Sequence, residues 1–228
     1  PPLRIKGCIL DKHRIVTINN PQSTQFISAL LLIGVNVQTN STSPYIYITK
    51  EVIKQYQLSP FSFHLTVEKD WSSAAFWYEY VALHGGEITL PGLFRDSLQG
   101  DKVVADIFAH LGVHTIYTDE GIVISSSPLH PTPYTLHHDF VACPDLYPAV
   151  ALTCERLGIE LHATGTESLP IKESDRLRAV REHRTDHDHR MAMALLIAGY
   201  EVDDTACISK SYPQFMEQFH RINTLKLQ

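Results

Sequence analysis

The sequence predicts an α/β protein. Three observations predict it. Short runs holding β-branched or aromatic residues alternate with longer helical runs, polar residues that can cap helices precede several of those runs, and glycines follow others. The strand candidates, in chain order, are residues 3–6, 14–18, 45–48, 63–67, 87–90, 114–117, 121–125 and 159–162. The helix candidates between them are 24–33, 72–84, 101–111, 147–157, 173–182, 188–200 and 212–222. Ser23, Asp70 and Asp145 stand just before helices, where a side-chain oxygen accepts from free backbone N–H groups. Asp145 reads either as such a cap, worth about 1 kcal/mol, or as a general base at the mouth of a site. Gly85, Gly86, Gly112 and Gly158 follow three of the helices, where left-handed caps belong. Helix starts rich in polar residues recur at intervals of roughly 20–50 residues, the mark of a supersecondary unit used more than once.

The 228 residues suffice for one large domain or two small ones, at about 150 residues per domain. With 44% apolar and 19% charged residues the chain is globular. Its net charge of -6 argues against a nucleic-acid binder. The longest apolar candidate, 26–35, is broken by Ser28 and Gly34 and falls short of the ~20 residues that cross a bilayer. Cys8, Cys143, Cys154 and Cys207 are scattered without metal-binding spacing and read as reduced thiols of a cytoplasmic protein. Trp71, Phe76, Trp77, Tyr78 and Tyr80 crowd one helix without the basic residues that accompany base stacking, and read as core.

The chemistry concentrates at helix starts. A helix N-terminus attracts anions, and Lys172, Arg176, Arg190 and Lys210 stand at or near such starts. Arg and Lys there suit phosphate or carboxylate groups. Glu173, Asp175 and Asp188 beside them suit proton transfer, or else local ion pairs on a solvated helix start. Residues 183–190 are rich in His and Asp but lack any zinc spacing, so no metal is expected.

Two strings, Lys172-Glu173-Ser174-Asp175-Arg176 and Asp188-His189-Arg190-Met191-Ala192-Met193-Ala194, are near-verbatim signatures that resemble the EPSP synthase (3-phosphoshikimate 1-carboxyvinyltransferase) family. Ser23-Thr24-Gln25-Phe26, Pro44-Tyr45, Asp70-x-Ser72-Ser73-Ala74, Ser97-x-Gln99-Gly100-Asp101, Pro144-Asp145 and Lys210-Ser211-Tyr212-Pro213 follow in the family's order. The resemblance implies the enolpyruvyl-transferase fold, with repeated βαβαββ units in two lobes and the site at helix N-termini. About one and a third lobes are expected: residues 1–68 as the end of the lobe that binds the shikimate phosphate, and 69–228 as most of the lobe containing the C-terminus. It implies transfer of the enolpyruvyl group from phosphoenolpyruvate to the 5-hydroxyl of shikimate 3-phosphate, with release of phosphate. Neither metal nor organic cofactor is implied, and the protein is expected to be a cytoplasmic monomer.

Carried over by position, Asp145, Glu173 and Lys210 would be catalytic. Ser23, Thr24, Gln25, Thr42, Tyr45, Asp145 and Lys172 would hold shikimate 3-phosphate. Arg176, Asp188, His189, Arg190 and Lys210 would hold phosphoenolpyruvate. Thr24 and Thr42 stand where the family has Ser and keep the hydroxyl, whereas Ser168 and Pro170 replace an Asn and a basic residue found in many members. The chain also looks contracted at 35–41, 54–62 and 182–185. It is therefore expected to be the ordered part of a longer chain, with backbone breaks near those segments, and to be inactive alone. Two other readings remain, a UDP-N-acetylglucosamine enolpyruvyl transferase and a noncatalytic remnant that binds shikimate 3-phosphate.

Overall fold

The computed structural model describes residues 6–7, 11, 13–58, 67–127 and 135–226. The chain divides into two compact units, Pro1–Thr66 with Leu98–Gly100, and Val67–Ser97 with Asp101–Gln228. In the first, β1 (Ile15–Thr17) and β2 (Asn36–Gln38) pair in parallel across α1 (Gln25–Leu32), and α2 (Pro44–Leu58) follows. Ile27 and Ile46 are buried where α1 and α2 pack together. Phe26, Leu32, Ile33, Tyr45, Tyr47 and Tyr56 are exposed, so this unit buries little of its apolar surface within itself.

Residues 45–48 are helical, not the expected strand. Their Tyr-Ile alternation has period two, yet Pro44 opens a helix, where its fixed φ fits and its missing N–H costs nothing. Thr49 then donates its hydroxyl to the Tyr45 carbonyl one turn back, 2.8 Å away, and burial of Ile46 outweighs the strand pattern. The candidate strand 3–6 lies largely outside the described residues, as does 63–67 except Val67, which is not in a strand.

The second unit is organised around α3 (Trp71–His84). Asp70 caps it, its carboxylate accepting from the Ser72 and Ser73 N–H groups at 3.1 Å each. From Trp71 to Val81 all residues but Ser73 are buried, as expected of a helix surrounded by other elements. The crowded aromatics are core: Trp77 lies 5.5 Å from the Phe215 ring and donates its indole N–H to Tyr212.

Next come β3 (Glu87–Pro91), α4 (Val104–Ala109), β4 (Val113–Thr118) and β5 (Gly121–Ser126). The three strands form an antiparallel sheet in the order β3-β5-β4. Then β6 (Thr135–Asp139) and β7 (Glu160–Thr164) pair in parallel around α5 (Tyr147–Leu157), with Leu136 opposite Leu161. Gly158 ends α5 in the left-handed conformation. Three more helices follow β7: α6 (Arg176–Glu182), α7 (His189–Ile197) and α8 (Phe215–Lys226).

The expected backbone breaks do not occur at 35–41 or 182–185, and the third segment, 54–62, lies partly outside the described residues. Val35 runs directly into β2, and α6 passes to α7 with no strand between. That junction is tight. His183, Asp186 and His187 all take positive φ, a conformation that costs non-glycine residues energy. The turn is held by Arg184 N–H on the Ala179 carbonyl and by the Thr185 hydroxyl on Asp203. Among the described residues no helix is long and apolar enough to cross a membrane. Cys143, Cys154 and Cys207 are buried free thiols.

Candidate active site

The site follows from the parallel pair. In βαβ units, functional groups gather beyond the carboxyl ends of the strands. The segment leaving β6 leads through Phe140 and Cys143 to the 3-10 turn Pro144–Leu146, which carries Asp145. The segment leaving β7 leads to Lys172, Glu173 and the start of α6. Gly165 lets the two segments pass. Its φ is +65°, and a Cβ there would fall 2.0 Å from Asp139 Oδ1. The Phe140 N–H donates to the Thr164 carbonyl beside it, 2.9 Å away.

Asp145 does not cap α5: no side-chain hydrogen bond caps that helix. Its carboxylate instead collects cations. Arg176 Nη1 donates to Oδ1 at 2.6 Å, Lys172 Nζ lies 3.6 Å from the same oxygen, and Arg190 Nη2 lies 3.1 Å from Oδ2. Burial works to raise the Asp145 pKa, but Arg190, Arg176 and Lys172 together outweigh it and hold the carboxyl at about 2.

Arg176, only 2% exposed, also donates through Nε to Asp188 Oδ2 at 2.8 Å. Asp188 is the N-cap of α7, its Oδ1 accepting the Arg190 N–H at 2.9 Å. The Ser174 hydroxyl completes its shell at 3.1 Å. Burial tends to raise the Asp188 pKa, and Arg176 with these hydrogen bonds brings it below the ordinary value.

A second cluster adjoins the first. Glu173 Oε2 accepts from His189 Nδ1 at 3.0 Å and lies 3.6 Å from Lys210 Nζ. Lys210 also donates to the His187 carbonyl at 3.0 Å. Ligand atoms of Glu173, Asp188 and His189 lie within 4.8 Å of one another. Asp188 is already neutralised by Arg176, and Lys210 stands against Glu173, so the cluster reads as an ion-pair network.

All eight residues expected here from the second unit, Asp145, Lys172, Glu173, Arg176, Asp188, His189, Arg190 and Lys210, fall into these two adjoining clusters. Ser23, Thr24, Gln25, Thr42 and Tyr45 belong to the first unit. There Ser23 Oγ accepts the Gln25 N–H at 3.3 Å, and the Ser43 hydroxyl donates to Thr24 Oγ1 at 3.4 Å. Sequence reasoning assigned no role to Ser174 or to Asp101. Asp101 is buried and accepts from the Ser72 hydroxyl through Oδ2, while Oδ1 has no hydrogen-bond partner. Burial pushes it up to about 6 against the pull of that hydrogen bond, with the nearby Asp145 charge adding to the rise. The D-x-S-S and S-x-Q-G-D strings held the signal, but not their pairing.

Guanidiniums, amines and carboxylates gather here beyond the ends of the parallel pair and at the start of α7, the residue types that suit small anions and proton transfer. The model of the EPSP synthase (3-phosphoshikimate 1-carboxyvinyltransferase) family matches residues 8–183 and 180–219, so the chain belongs to that family. The change between the two matched stretches falls at the α6–α7 junction. A 3-phosphoshikimate 1-carboxyvinyltransferase of Bacteroides fragilis is 34% identical over 282 positions, covering 97% of this chain and 68% of its own. That of Colwellia psychrerythraea is 27% identical, with 98% and 65% covered. An Acinetobacter baumannii EPSP synthase structure matches with a TM-score of 0.67 at 16% identity, over 91% of this chain and 62% of that one, and shares the enolpyruvyl-transferase fold. The chain thus spans about two thirds of the length of these relatives. The 282 aligned positions exceed its 228 residues, so the relative carries segments that this chain lacks. The family's chemistry, by its name, is carboxyvinyl transfer to 3-phosphoshikimate.

Proposed function

We propose that this site transfers the enolpyruvyl group of phosphoenolpyruvate to the 5-hydroxyl of shikimate 3-phosphate, a step in aromatic amino acid biosynthesis. The observation that carries the reading is the convergence of Arg176, Arg190 and Lys172 on buried Asp145, beside the Glu173–His189–Lys210 cluster. Arg176, Arg190, His189 and Lys210 bind phosphoenolpyruvate, with Asp188 holding the Arg176 guanidinium and the Arg190 backbone N–H. Lys172 and Asp145 reach shikimate 3-phosphate, with Ser23, Thr24, Gln25, Thr42 and Tyr45 as its further ligands.

Asp145 takes the proton of the 5-hydroxyl as that oxygen bonds to C2 of phosphoenolpyruvate. Lys210 and Glu173 deliver a proton to C3, giving a tetrahedral adduct. Loss of phosphate from C2 and of a proton from C3 restores the double bond. Preorganised cations hold the phosphate and carboxylate charges throughout. The working protein is a cytoplasmic monomer. The test is phosphate release by the full-length protein. Release that needs both phosphoenolpyruvate and shikimate 3-phosphate supports the reading. Release with UDP-N-acetylglucosamine as acceptor replaces it with the sister reaction. Binding of shikimate 3-phosphate without release makes the protein a noncatalytic remnant.

A further inference from the structure

The Asp145–Arg190 ion pair stands in the way of the chemistry just proposed, and the inference rests on that reading. A general base works best with a pKa near the operating pH. Asp145, gripped by three cations, sits at about 2 and accepts a proton poorly. We infer that Asp145 is an internal stand-in for the anionic substrate: phosphoenolpyruvate displaces it from Arg190, and only the displaced carboxylate serves as the base.

The geometry says which partner leaves. Arg176 is buried and shared between Asp145 and Asp188, at 2.6 and 2.8 Å. Moving it would strand Asp188, which is 0% exposed. Lys172 is already 3.6 Å from Asp145. Arg190 is different. Its backbone N–H is fixed by Asp188, but its guanidinium has Asp145 as its carboxylate partner among the described residues. That side chain keeps 15% exposure, so it can turn to another anion without moving α7. Both anionic ends of phosphoenolpyruvate match a guanidinium fork. The exchange keeps Arg190 paired and frees Asp145 Oδ2 for the hydroxyl.

The groups facing Asp145 are Arg176 from α6, Arg190 from α7, Lys172 from the segment after β7, and Asp101 from the 3-10 turn Gly100–Val103, with the buried thiol of Cys143 two residues away. Asp101 repels a second negative charge, and its Oδ1 lacks a hydrogen-bond partner to relieve it. Losing Arg190 therefore moves Asp145 toward stronger basicity. The base is armed by the arrival of phosphoenolpyruvate.

Two measurements test this on the full-length enzyme. With shikimate 3-phosphate saturating, the acid limb of kcat is expected at least about one pH unit above that of kcat/KM for phosphoenolpyruvate, because the first reports the loaded site and the second the free one. Coincident limbs would overturn the inference. In a crystal structure with phosphoenolpyruvate bound, Arg190 is expected on the ligand and beyond ion-pair reach of Asp145. Arg190 touching both would overturn the inference and leave the site reading intact. Phosphoenolpyruvate seated away from Arg190 would overturn both.

Discussion

Arg176 Nε lies 2.8 Å from Asp188 Oδ2, and neither side chain meets solvent, at 2% and 0% exposure. Through Nη1 the same guanidinium holds Asp145, so one buried cation ties the start of α7 to the turn before α5. Arg176→Ala leaves two carboxylates without their shared partner. Breaking a buried pair in this way costs about 3–5 kcal/mol. Urea unfolding should show a loss of that order. Arg176→Lys should recover only part of it, because an ammonium lacks the fork that spans both acids. A fully stable Arg176→Ala variant would mean that the bridge carries no structural weight.

Acid should weaken the same bridge. Asp145 is held at about 2 against an ordinary value of 3.8, and Asp188 is also lowered. A depressed folded-state pKa contributes stability above the unfolded value, and that contribution is lost as pH falls from 3.8 toward about 2. Thermal melts across that window should show wild type losing stability faster than Asp145→Asn. Parallel curves would contradict the assigned ion pairs.

Glu79 should act in the opposite sense. It is fully buried on α3, neither carboxylate oxygen has a hydrogen-bond partner, and burial pushes its pKa well above 4.5. A group raised in this way leaves stability intact below 4.5 and subtracts it as pH rises toward the folded value. Glu79→Gln should therefore raise Tm at neutral pH, with the gain shrinking toward zero below pH 4.5. A Glu79→Gln variant less stable at neutral pH would show that the carboxylate has a favourable partner.

Gly165→Ala probes how the fold places the site. The added methyl would meet Asp139 Oδ1 at 2.0 Å, in a backbone conformation that alanine disfavours. The segment that carries Lys172 must then shift. Since displacements of about 1 Å in a positioned group can cost about a hundredfold in rate, turnover should fall by that order. A steady-state assay of folded Gly165→Ala with normal kcat would separate the β6–β7 crossing from the chemistry.

Much of this was legible in the sequence, for physical reasons that differ by element. The span of α5 was readable because Gly158 stops it with a left-handed cap. The start of α3 was readable because Asp70 carries its own capping oxygen. The polar string Thr135-Leu136-His137-His138-Asp139 hid β6, since its strand character comes from pairing with β7, not from composition. Asp145 looked like a cap because caps are local, whereas its partners lie 27, 31 and 45 residues on at Lys172, Arg176 and Arg190. The residue types of the site were visible at once. Which carboxylate meets which cation depends on α6 and α7 folding back together, and no periodicity records that.

The most direct test of the central claim is phosphate release by the full-length protein, wild type and Asp145→Asn, with phosphoenolpyruvate and shikimate 3-phosphate supplied singly and together. Release by wild type only when both are present, falling by about a hundredfold or more in Asp145→Asn, is the predicted result. Absence of release with both, or near-normal release from Asp145→Asn, would contradict it.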